Sequence, residues 1–258
     1  MAQPVAHRYG KDAVSVYRIE GDRLFACEVR LLAESEVLAS SYTEGDNSLV
    51  VATDSMKNFI HRTALDFRGT GLDEFLDEVG RRFVERYDHI ETVYLNAREL
   101  AFERRNGLVL QRLYDDAAVS ELVLGRGTRT ERSGIEGLHL VKLAGSSFAG
   151  FVRDEYTTLP DSTDRPLFVH LDAHWTARAP HDEVRETFVT AFAELHSESI
   201  QHLVHEMGVR ALDRFPQISE ISFVAHNRLW DNAQEADGVR VFTDARPPFG
   251  VIELTLAR

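Results

Sequence analysis

The chain has 258 residues, a formal net charge of −13, and 43% hydrophobic and 28% charged residues. This composition is typical of a soluble globular protein with enough apolar material for one large domain or two smaller ones. The acidic balance argues against a nucleic-acid-binding protein, which needs a basic face, but a local Arg or Lys can still bind a small anion.

Cys27 is the only cysteine, so the sequence predicts no intramolecular disulfide and no thiolate zinc site. No apolar run is long enough to span a bilayer, and the first residues lack the apolar core of a secretion signal. The last residues, Thr-Leu-Ala-Arg, do not form a peroxisomal address. We therefore expect a cytoplasmic protein with no membrane contact.

The first half of the chain is predicted to fold as two strands, two helices and two further strands. In chain order, the predicted elements are strands at 13–19 and 24–32 joined by a turn at 20–23, a short buried strand at 49–52, helices beginning near Ser55 and at Thr70, and strands at 90–102 and 108–114. The second helix has apolar residues at helical spacing from Leu72 to Val84, and Asp73 follows Thr70 by three residues, as in a capping box.

The second half repeats this order of elements. Its predicted elements are strands at 137–143 and 166–176, helices carrying Val184 to Leu195 and Ile200 to Ala211, and strands at 218–225, 239–243 and 250–256. The polar, Gly-rich segment 125–134 (GRGTRTERSG) is the best boundary, giving modules at 1–130 and 131–258. Two modules of sheet plus helix pair predict an α+β protein, and open sheet edges favour oligomerisation.

A polar cluster stands where the short apolar run 49–52 leads into the first helix. Thr53, Asp54 and Ser55 lie at the predicted helix start, and Lys57 and Asn58 follow within one turn. Ser, Thr and Asp side chains commonly accept hydrogen bonds from the free N–H groups of a helix start, so capping is the simplest interpretation. A functional site is the alternative, and the cluster alone does not decide between them.

Motifs for metal, phosphate or cofactor chemistry are weak or missing in this sequence. His202 and His205 lie three apart on a predicted helix beside Glu206, but a metal site needs three or four convergent ligands, and a solvated helix face explains them better. There is no phosphate-binding Gly-Lys-Ser loop, nucleophile elbow, or nicotinamide, flavin or haem motif. We therefore expect no metal and no cofactor.

Four segments resemble the urate oxidase (uricase) family, whose members oxidise urate with molecular oxygen without a cofactor. These segments are RYGKDAV at 8–14, YTEGDNSLVVATDSMKN at 42–58, SSFAGFVRDEYTTLPDSTDRP at 146–166 and ISEISFVAHNRLW at 218–230. Weaker agreement is found in SIQ at 199–201 and in the last residues, RPPFGVIELTLAR, so the resemblance covers the whole chain in order.

The resemblance implies the tunnelling fold (T-fold), in which each subunit has tandem modules made of an antiparallel four-stranded sheet and a pair of helices. It further implies that four subunits stack into a hollow barrel, with active sites at the interfaces between subunits. The expected assembly is therefore a homotetramer that binds urate, or a related planar heterocycle, and O2.

Matched to the family's motifs, the scattered polar residues acquire roles in urate binding. The resemblance implies that Phe148 stacks on the purine and that Arg165 and Gln201 grip one edge of the ring, which suits the planar guanidinium and amide groups. Ile200 would offer a backbone contact beside Gln201. From the neighbouring subunit, Asp54 would reach the opposite edge together with Thr53.

The resemblance also implies the residues of the chemical step. Lys11 and Thr53 would form the proton relay that produces the reactive urate dianion, and Thr53 with Asn227 would bracket a pocket for oxygen above the ring. An electron-rich dianion can give an electron to oxygen directly, so no metal or flavin is needed. The products would be 5-hydroxyisourate and hydrogen peroxide.

The sequence departs from the family at one relay position. Where the family has Asn-x-His, this chain has Asn227-Arg228-Leu229, and Leu229 can neither give nor accept a proton. His226 cannot substitute unless the strand bulges, because neighbouring side chains on a strand point to opposite faces. Three hypotheses follow: a urate oxidase with a weakened relay, an enzyme that oxidises or hydrolyses another purine- or pteridine-like heterocycle, or a binding protein without activity.

Overall fold

The computed structural model describes residues 6–258, and the chain divides into two compact units, Met1–Ser133 and Gly134–Arg258. Each unit contains helices and antiparallel strands, which confirms the predicted α+β class. Within the described range, no helix is both long and apolar enough to cross a membrane.

The first unit contains the sheet order β1-β2-β3-β6 with its helices inserted between β2 and β3. The elements are β1 (Tyr9–Glu20), β2 (Arg23–Glu34), α1 (Ala39–Thr43), α2 (Thr53–Asp66), α3 (Leu72–Arg86), β3 (Thr92–Glu99), β4 (Phe102–Asn106), β5 (Val109–Arg112) and β6 (Ala117–Gly125). Strands β4 and β5 form a separate two-stranded hairpin. A 3-10 turn at Glu36–Leu38 leads into α1.

The second unit contains the order β7-β8-β9-β12, with two helices between β8 and β9. Its elements are β7 (Thr128–Lys142), which begins in the first unit, β8 (Leu167–Thr176), α4 (His181–Glu194), α5 (Ile200–Arg214), β9 (Glu220–Asn227), β10 (Asp231–Ala236), β11 (Val239–Thr243) and β12 (Gly250–Ala257). Strands β10 and β11 pair only with each other.

Alternating burial along the strands gives each unit its own hydrophobic core. In β8 every second residue from Leu167 to Trp175 is buried, and in β2 the buried set includes Cys27, Val29 and Leu31. These faces pack against the apolar sides of the helix pairs. Burial among apolar neighbours raises the pKa of the Cys27 thiol to about 12, so this cysteine is a core residue.

Most predicted elements are confirmed, with extended boundaries, and two local predictions are wrong. The stretch 49–52 is not a strand but an irregular approach to α2. The two compact units divide after Ser133, within the polar segment 125–134, although most of this segment belongs to strand β7. The α3 cap lies one residue later than predicted: Gly71 holds the N-cap position, and its N–H donates to Glu74 Oε2 at 3.2 Å. Strands β4, β6 and β10 were not predicted.

Candidate active site

A β-bulge places Lys11 on the helix-covered face of the first sheet. Lys11 pairs with Leu31 and Val14 pairs with Val29, so Asp12 and Ala13 together oppose a single residue of β2. Paired residues on neighbouring strands point to the same face, and Leu31 is fully buried under the helices. Without the extra residue, the strand's alternation from the buried Val14 would put Lys11 on the other face.

The bulge carries local backbone strain. Ala13 has a φ of 54°, a left-handed conformation that residues with a Cβ seldom adopt, and its N–H donates to Asp12 Oδ1 at 2.9 Å. Strain of this kind persists only where the surrounding structure enforces it. The first unit therefore accepts a strained residue two positions from Lys11 while orienting that lysine.

The polar cluster at the start of α2 is not a capping motif, so this interpretation is wrong. The helix begins at Thr53, the N-cap position is Ala52, and no side chain in the described structure caps it. The first helical hydrogen bond runs from Met56 N to Ala52 O at 3.1 Å. The N–H groups of Thr53, Asp54 and Ser55 thus lie outside the helical ladder, at the positive end of the helix dipole.

Asp54 is held in place by its own helix. Its carboxylate accepts from Lys57 Nζ at 2.5 Å and from Asn58 Nδ2 at 3.0 Å. The Lys57 hydrogen bond is the largest cause that lowers the pKa of Asp54, and the charge of Lys11 contributes as well. Thr53 and Asp54 are neighbours at the start of α2, and α2 packs on β1, the strand that carries Lys11.

Tyr9 connects the strand that carries Lys11 to the segment before α2. The Val51 N–H donates to the Tyr9 hydroxyl at 2.9 Å. Tyr9 pairs with Ala33, a fully buried residue, and so lies on the same face of the sheet as Lys11. Burial is the largest cause that raises the pKa of this tyrosine, so it remains a neutral hydroxyl.

In the second unit, backbone hydrogen bonds fix the segment that carries Phe148 and Arg165. Phe148 and Ser162 exchange both N–H···O bonds, at 2.8 and 2.9 Å, and Arg165 N donates to Ser146 O at 2.9 Å. The Ser147 N–H donates to Ser197 O at 2.7 Å, which ties this segment to the residues before α5.

The start of α5 presents Ile200 and Gln201. Ser199 caps the helix by accepting from His202 N at 3.1 Å, and no acidic residue lies in the first turn. Ile200 is only 6% exposed and packs in the core, so it can offer a ligand only backbone groups, while the Gln201 side chain is exposed. The helix dipole makes this end favourable for an anion.

Four buried polar side-chain atoms of the second unit have no hydrogen-bond partner within residues 6–258: Nε of Arg165, Nε1 of Trp175, Oδ1 of Asn227 and Nε of Arg228. Two of them, Nε of Arg165 and Oδ1 of Asn227, belong to predicted site residues. The Arg165 guanidinium carbon lies 5.8 Å from the centre of the Phe148 ring, and burial lowers the pKa of this arginine. Buried donors and acceptors are nearly always paired, so these atoms point to a missing polar ligand beside an aromatic surface.

Asn227 lies at the end of the sheet at which the chain enters β8 shortly after Arg165. Asn227 is the last residue of β9 and pairs with Val169, and β8 begins two residues after Arg165. The second unit therefore places Phe148, Arg165 and Asn227 in one region and fixes the Phe148 segment to the approach to α5. No measured contact joins the Gln201 side chain to them.

The comparisons with known proteins agree along the whole described chain. The sequence profile of the uricase family matches residues 7–121 and 131–253. The chain belongs to the uricase family. It is 35% identical over 298 residues to a uricase of Halalkalicoccus jeotgali, covering 97% of both chains. It is 38% identical to a uric acid degradation bifunctional protein of a Bacillus species, covering 88% of this chain and 52% of that protein.

Solved uricase structures have the same fold as this chain. A uricase from Bacillus fastidious superposes with a TM-score of 0.90 at 34% identity, covering 97% of this chain and 93% of the other. A uricase from Arthrobacter globiformis gives 0.91 at 28% identity, covering 100% and 96%. The predicted tandem T-fold is confirmed. The chain spans about half the length of the bifunctional relatives it matches.

The structure shows the surroundings of Leu229, the residue at which the sequence is predicted to depart from the family's Asn-x-His motif. Strand β9 keeps a regular register with both neighbours from Ile221 to Asn227, so no bulge turns His226 toward the face of Asn227. Leu229 lies beyond the end of the strand and packs against the hydrophobic core of the second unit. His226 instead lies across from His170.

Several features of the site could not be read from the sequence. Pairing between distant segments determines the bulge at Ala13 and the hydrogen bond from Val51 to Tyr9. Side-chain geometry determines the hydrogen bond from Lys57 that holds Asp54. A search of residues 6–258 finds no group of three or more His, Cys, Asp or Glu side chains that could hold a metal ion.

Proposed function

We propose that this uricase-family chain is a urate oxidase. It would convert urate, O2 and water to 5-hydroxyisourate and hydrogen peroxide without a metal or organic cofactor. The observation that carries the proposal is the buried Arg165 guanidinium beside Phe148, with its unpartnered Nε and the unpartnered Asn227 Oδ1 in the same region. A flat, anionic, nitrogen-rich ring supplies the acceptors and donors that these atoms lack.

In this proposal the second unit binds and orients the ring. Phe148 stacks on one face, and Arg165 with Gln201 hydrogen-bonds one edge. The main chain at Ile200 adds a contact at the positive end of α5. The low accessibility of Arg165 strengthens its charge-assisted bonds, because water does not compete for the guanidinium there.

The first unit supplies the proton transfer. Lys11 and Thr53 relay the proton that leaves the urate monoanion. The N–H groups at the start of α2, including that of Asp54, donate hydrogen bonds to the opposite edge of the ring. The clamped Asp54 carboxylate keeps an ionised group beside Lys11. Thr53 and Asn227 bracket the oxygen, which accepts electrons from the urate dianion, and the peroxide leaves once water has attacked the oxidised ring.

We further propose that the active protein is a homotetramer in which each site combines the first-unit set of one subunit with the second-unit set of another. Among the described residues, the edge strands β1 and β12 each have one unpaired edge, and pairing between copies would cover these edges. The cytoplasmic location expected from the sequence stays a prediction.

A complementation experiment tests this shared site. Lys11→Met and Arg165→Met should each lose most of the activity, because each impairs one half of every site. After mixing and subunit exchange, about half of the pairs of site-sharing subunits contain one subunit of each variant. One of the two sites in such a mixed pair has both halves intact, so an equal mixture should recover about a quarter of the wild-type rate of urate oxidation. No recovery in verified hybrid assemblies would contradict a site shared between subunits.

The direct test is turnover by the purified full chain. Urate should disappear in air with one O2 consumed and one hydrogen peroxide released per urate. Thr53→Ala should abolish this rate, and Thr53→Ser, which keeps the hydroxyl, should retain much of it. Because Leu229 supplies no acid or base, Leu229→His should raise the rate if the relay is weakened, by up to about 10²-fold. Absence of both urate binding and turnover would refute the proposal.

No observation favours another heterocycle over urate. Leu229 packs against the hydrophobic core, so its side chain offers no polar group that would select a different ring substituent. The alternative substrates remain a hypothesis from the sequence.

A further inference from the structure

A cleft of about 320 Å³ lies in the first unit, away from the proposed catalytic residues. Its lining includes Arg18, Arg23, Arg104, Phe25, Phe102 and Leu110. Arg18 lies seven residues beyond Lys11 on β1, which corresponds to roughly 20 Å along an extended strand. The cleft therefore has its own set of side chains, none of which has a role in the proposed oxidation.

Guanidinium groups dominate the polar lining. Arg18 and Arg23 both contact Glu20 Oε2 at 3.0 Å, and Arg68 contacts Glu20 Oε1 at 3.5 Å, so three guanidinium groups share one carboxylate. Each guanidinium has five N–H donors, and one carboxylate cannot satisfy them all. This is a locally cationic site in a chain with a net charge of −13.

The arginines differ in how firmly they are held. The Arg18 side chain is 13% exposed and pairs across the strand with Phe25, so it is fixed at the inner end of the cleft. Arg23 is 66% exposed. Arg104 is 42% exposed, donates to the carbonyls of Asp22 and Gly107, and lies 3.8 Å from the exposed Asp22 carboxylate. The site therefore combines an anchored Arg18, an Arg104 oriented by main-chain carbonyls, and a more mobile Arg23.

The acidic groups at the cleft are already engaged. Glu20 accepts from the arginines, and the hydrogen bond from Arg18 is the largest cause that lowers its pKa. On the opposite wall, beside Gly69 and Thr70, Glu74 Oε2 accepts from the N–H groups of Thr70 and Gly71 at 3.2 Å. These carboxylates are fixed by the fold and leave the arginine donors at the cleft surface.

Aromatic and aliphatic side chains form the rest of the lining. Phe25 packs on Phe67 and Phe75 of the core at 5.5 and 5.3 Å, and Phe102 packs edge-on to Tyr17 at 6.5 Å. A flat ring can stack on such surfaces. The cleft volume lies at the lower end of the range of small-molecule sites, about 300–1,000 Å³.

We propose that this cleft binds a phosphate monoester that carries a flat ring, of the size of a nucleoside 5′-monophosphate. A single guanidinium fork already satisfies a carboxylate, whereas a phosphate dianion has three oxygens that accept from several arginines at once. The phosphate would contact Arg18, Arg23 and Arg104, and the ring would lie against Phe25 and Phe102.

Calorimetry on the 258-residue chain tests the proposal with uridine 5′-monophosphate as the probe. We expect saturable binding at low salt, weakened at high salt, at least tenfold weaker binding of inorganic phosphate, and no binding of uridine. Arg23→Met and Arg104→Met should each weaken binding by about tenfold or more, because each removes a charge-assisted contact. Both residues are exposed, so these variants should fold even if Arg18→Met does not.

Arg81→Met is the matched control. Arg81 is 49% exposed and pairs with Glu78 and Glu85 on α3, so its loss makes the same change in net charge outside the cleft and should leave binding unchanged. Binding should also persist in Arg165→Met, and loss there would place the ligand in the proposed catalytic pocket and overturn the proposal. Absence of binding at millimolar nucleotide, or equal affinity in all variants, would overturn it as well.

Discussion

Replacing Arg165 by methionine should lower activity without lowering stability. The guanidinium is partly buried and its Nε has no partner within the described chain, so the folded protein bears a desolvation penalty of about 1–3 kcal/mol. Methionine has a similar length and no polar group to desolvate. The free energy of unfolding should therefore stay within about 1 kcal/mol of wild type or rise.

The same substitution removes the contacts that a bound urate would receive. Charge-assisted hydrogen bonds contribute about 1.5–3 kcal/mol each, so two of them correspond to about 3–6 kcal/mol. At 1.36 kcal/mol per factor of ten, kcat/KM should fall by about 10²–10⁴-fold. The Arg165 N–H to Ser146 O bond belongs to the main chain and persists in the variant, so the loop should keep its path.

Two measurements on one pair of variants decide the issue. Initial rates of urate loss give kcat/KM, and urea denaturation gives the free energy of unfolding. Arg81→Met is the control, because Arg81 is 49% exposed and pairs with Glu78 and Glu85 on α3, away from the proposed site. If Arg165→Met unfolds more than 2 kcal/mol more easily but keeps wild-type kcat/KM, then Arg165 is a structural residue and the reasoning fails.

Further predictions concern pH, a hydroxyl and a strained residue. Burial first, and then the charge of His139, lowers the pKa of His170 to about 4, so the unfolded chain binds a proton that the folded chain does not between pH 6.5 and 4. The free energy of unfolding should fall as the pH drops through this window, and it should fall less in His170→Phe, as measured by urea titrations at each pH. Tyr9→Phe leaves the Val51 N–H without its acceptor, so it should lower the free energy of unfolding by about 1 kcal/mol and also reduce kcat. Wild-type values of both quantities in this variant would show that the hydrogen bond is unimportant. Ala13→Gly should relieve the strain of a positive φ and raise the free energy of unfolding by up to about 1 kcal/mol, which a higher melting temperature would show. A lower melting temperature would contradict the strain.

The order of helices and strands was predictable because each element has its own periodicity. The β1–β2 hairpin, α3, β8 and α5 all show alternation or helical spacing that the structure reproduces. The stretch 49–52 was mistaken for a strand because an apolar run does not reveal whether a neighbouring strand is available for pairing. Val51 is buried there and uses its N–H for the Tyr9 hydroxyl instead.

The site was less accessible to sequence reasoning. The resemblance supplied its residues, but only the pairing of β1 with β2 shows that Lys11 lies on the same face as α2. Alternation counted from Val14 would have placed it on the other face, because the bulge inserts one residue without a visible signal at Ala13. The cationic cleft was also missed, since Arg18, Gly69 and Arg104 come together only in the folded unit.

The two halves of the proposed site differ in how their polar groups are satisfied. In the first unit Asp54 already has Lys57 and Asn58 as partners, so its geometry is set before any ligand arrives. In the second unit Arg165 Nε and Asn227 Oδ1 are buried and unpartnered within the described residues. Unsatisfied buried groups reduce stability and persist in native proteins chiefly where a function needs them. A bound ring therefore stabilises the second unit more than the first. The first unit already holds its polar groups in place, which suits it to transfer the proton of the ring.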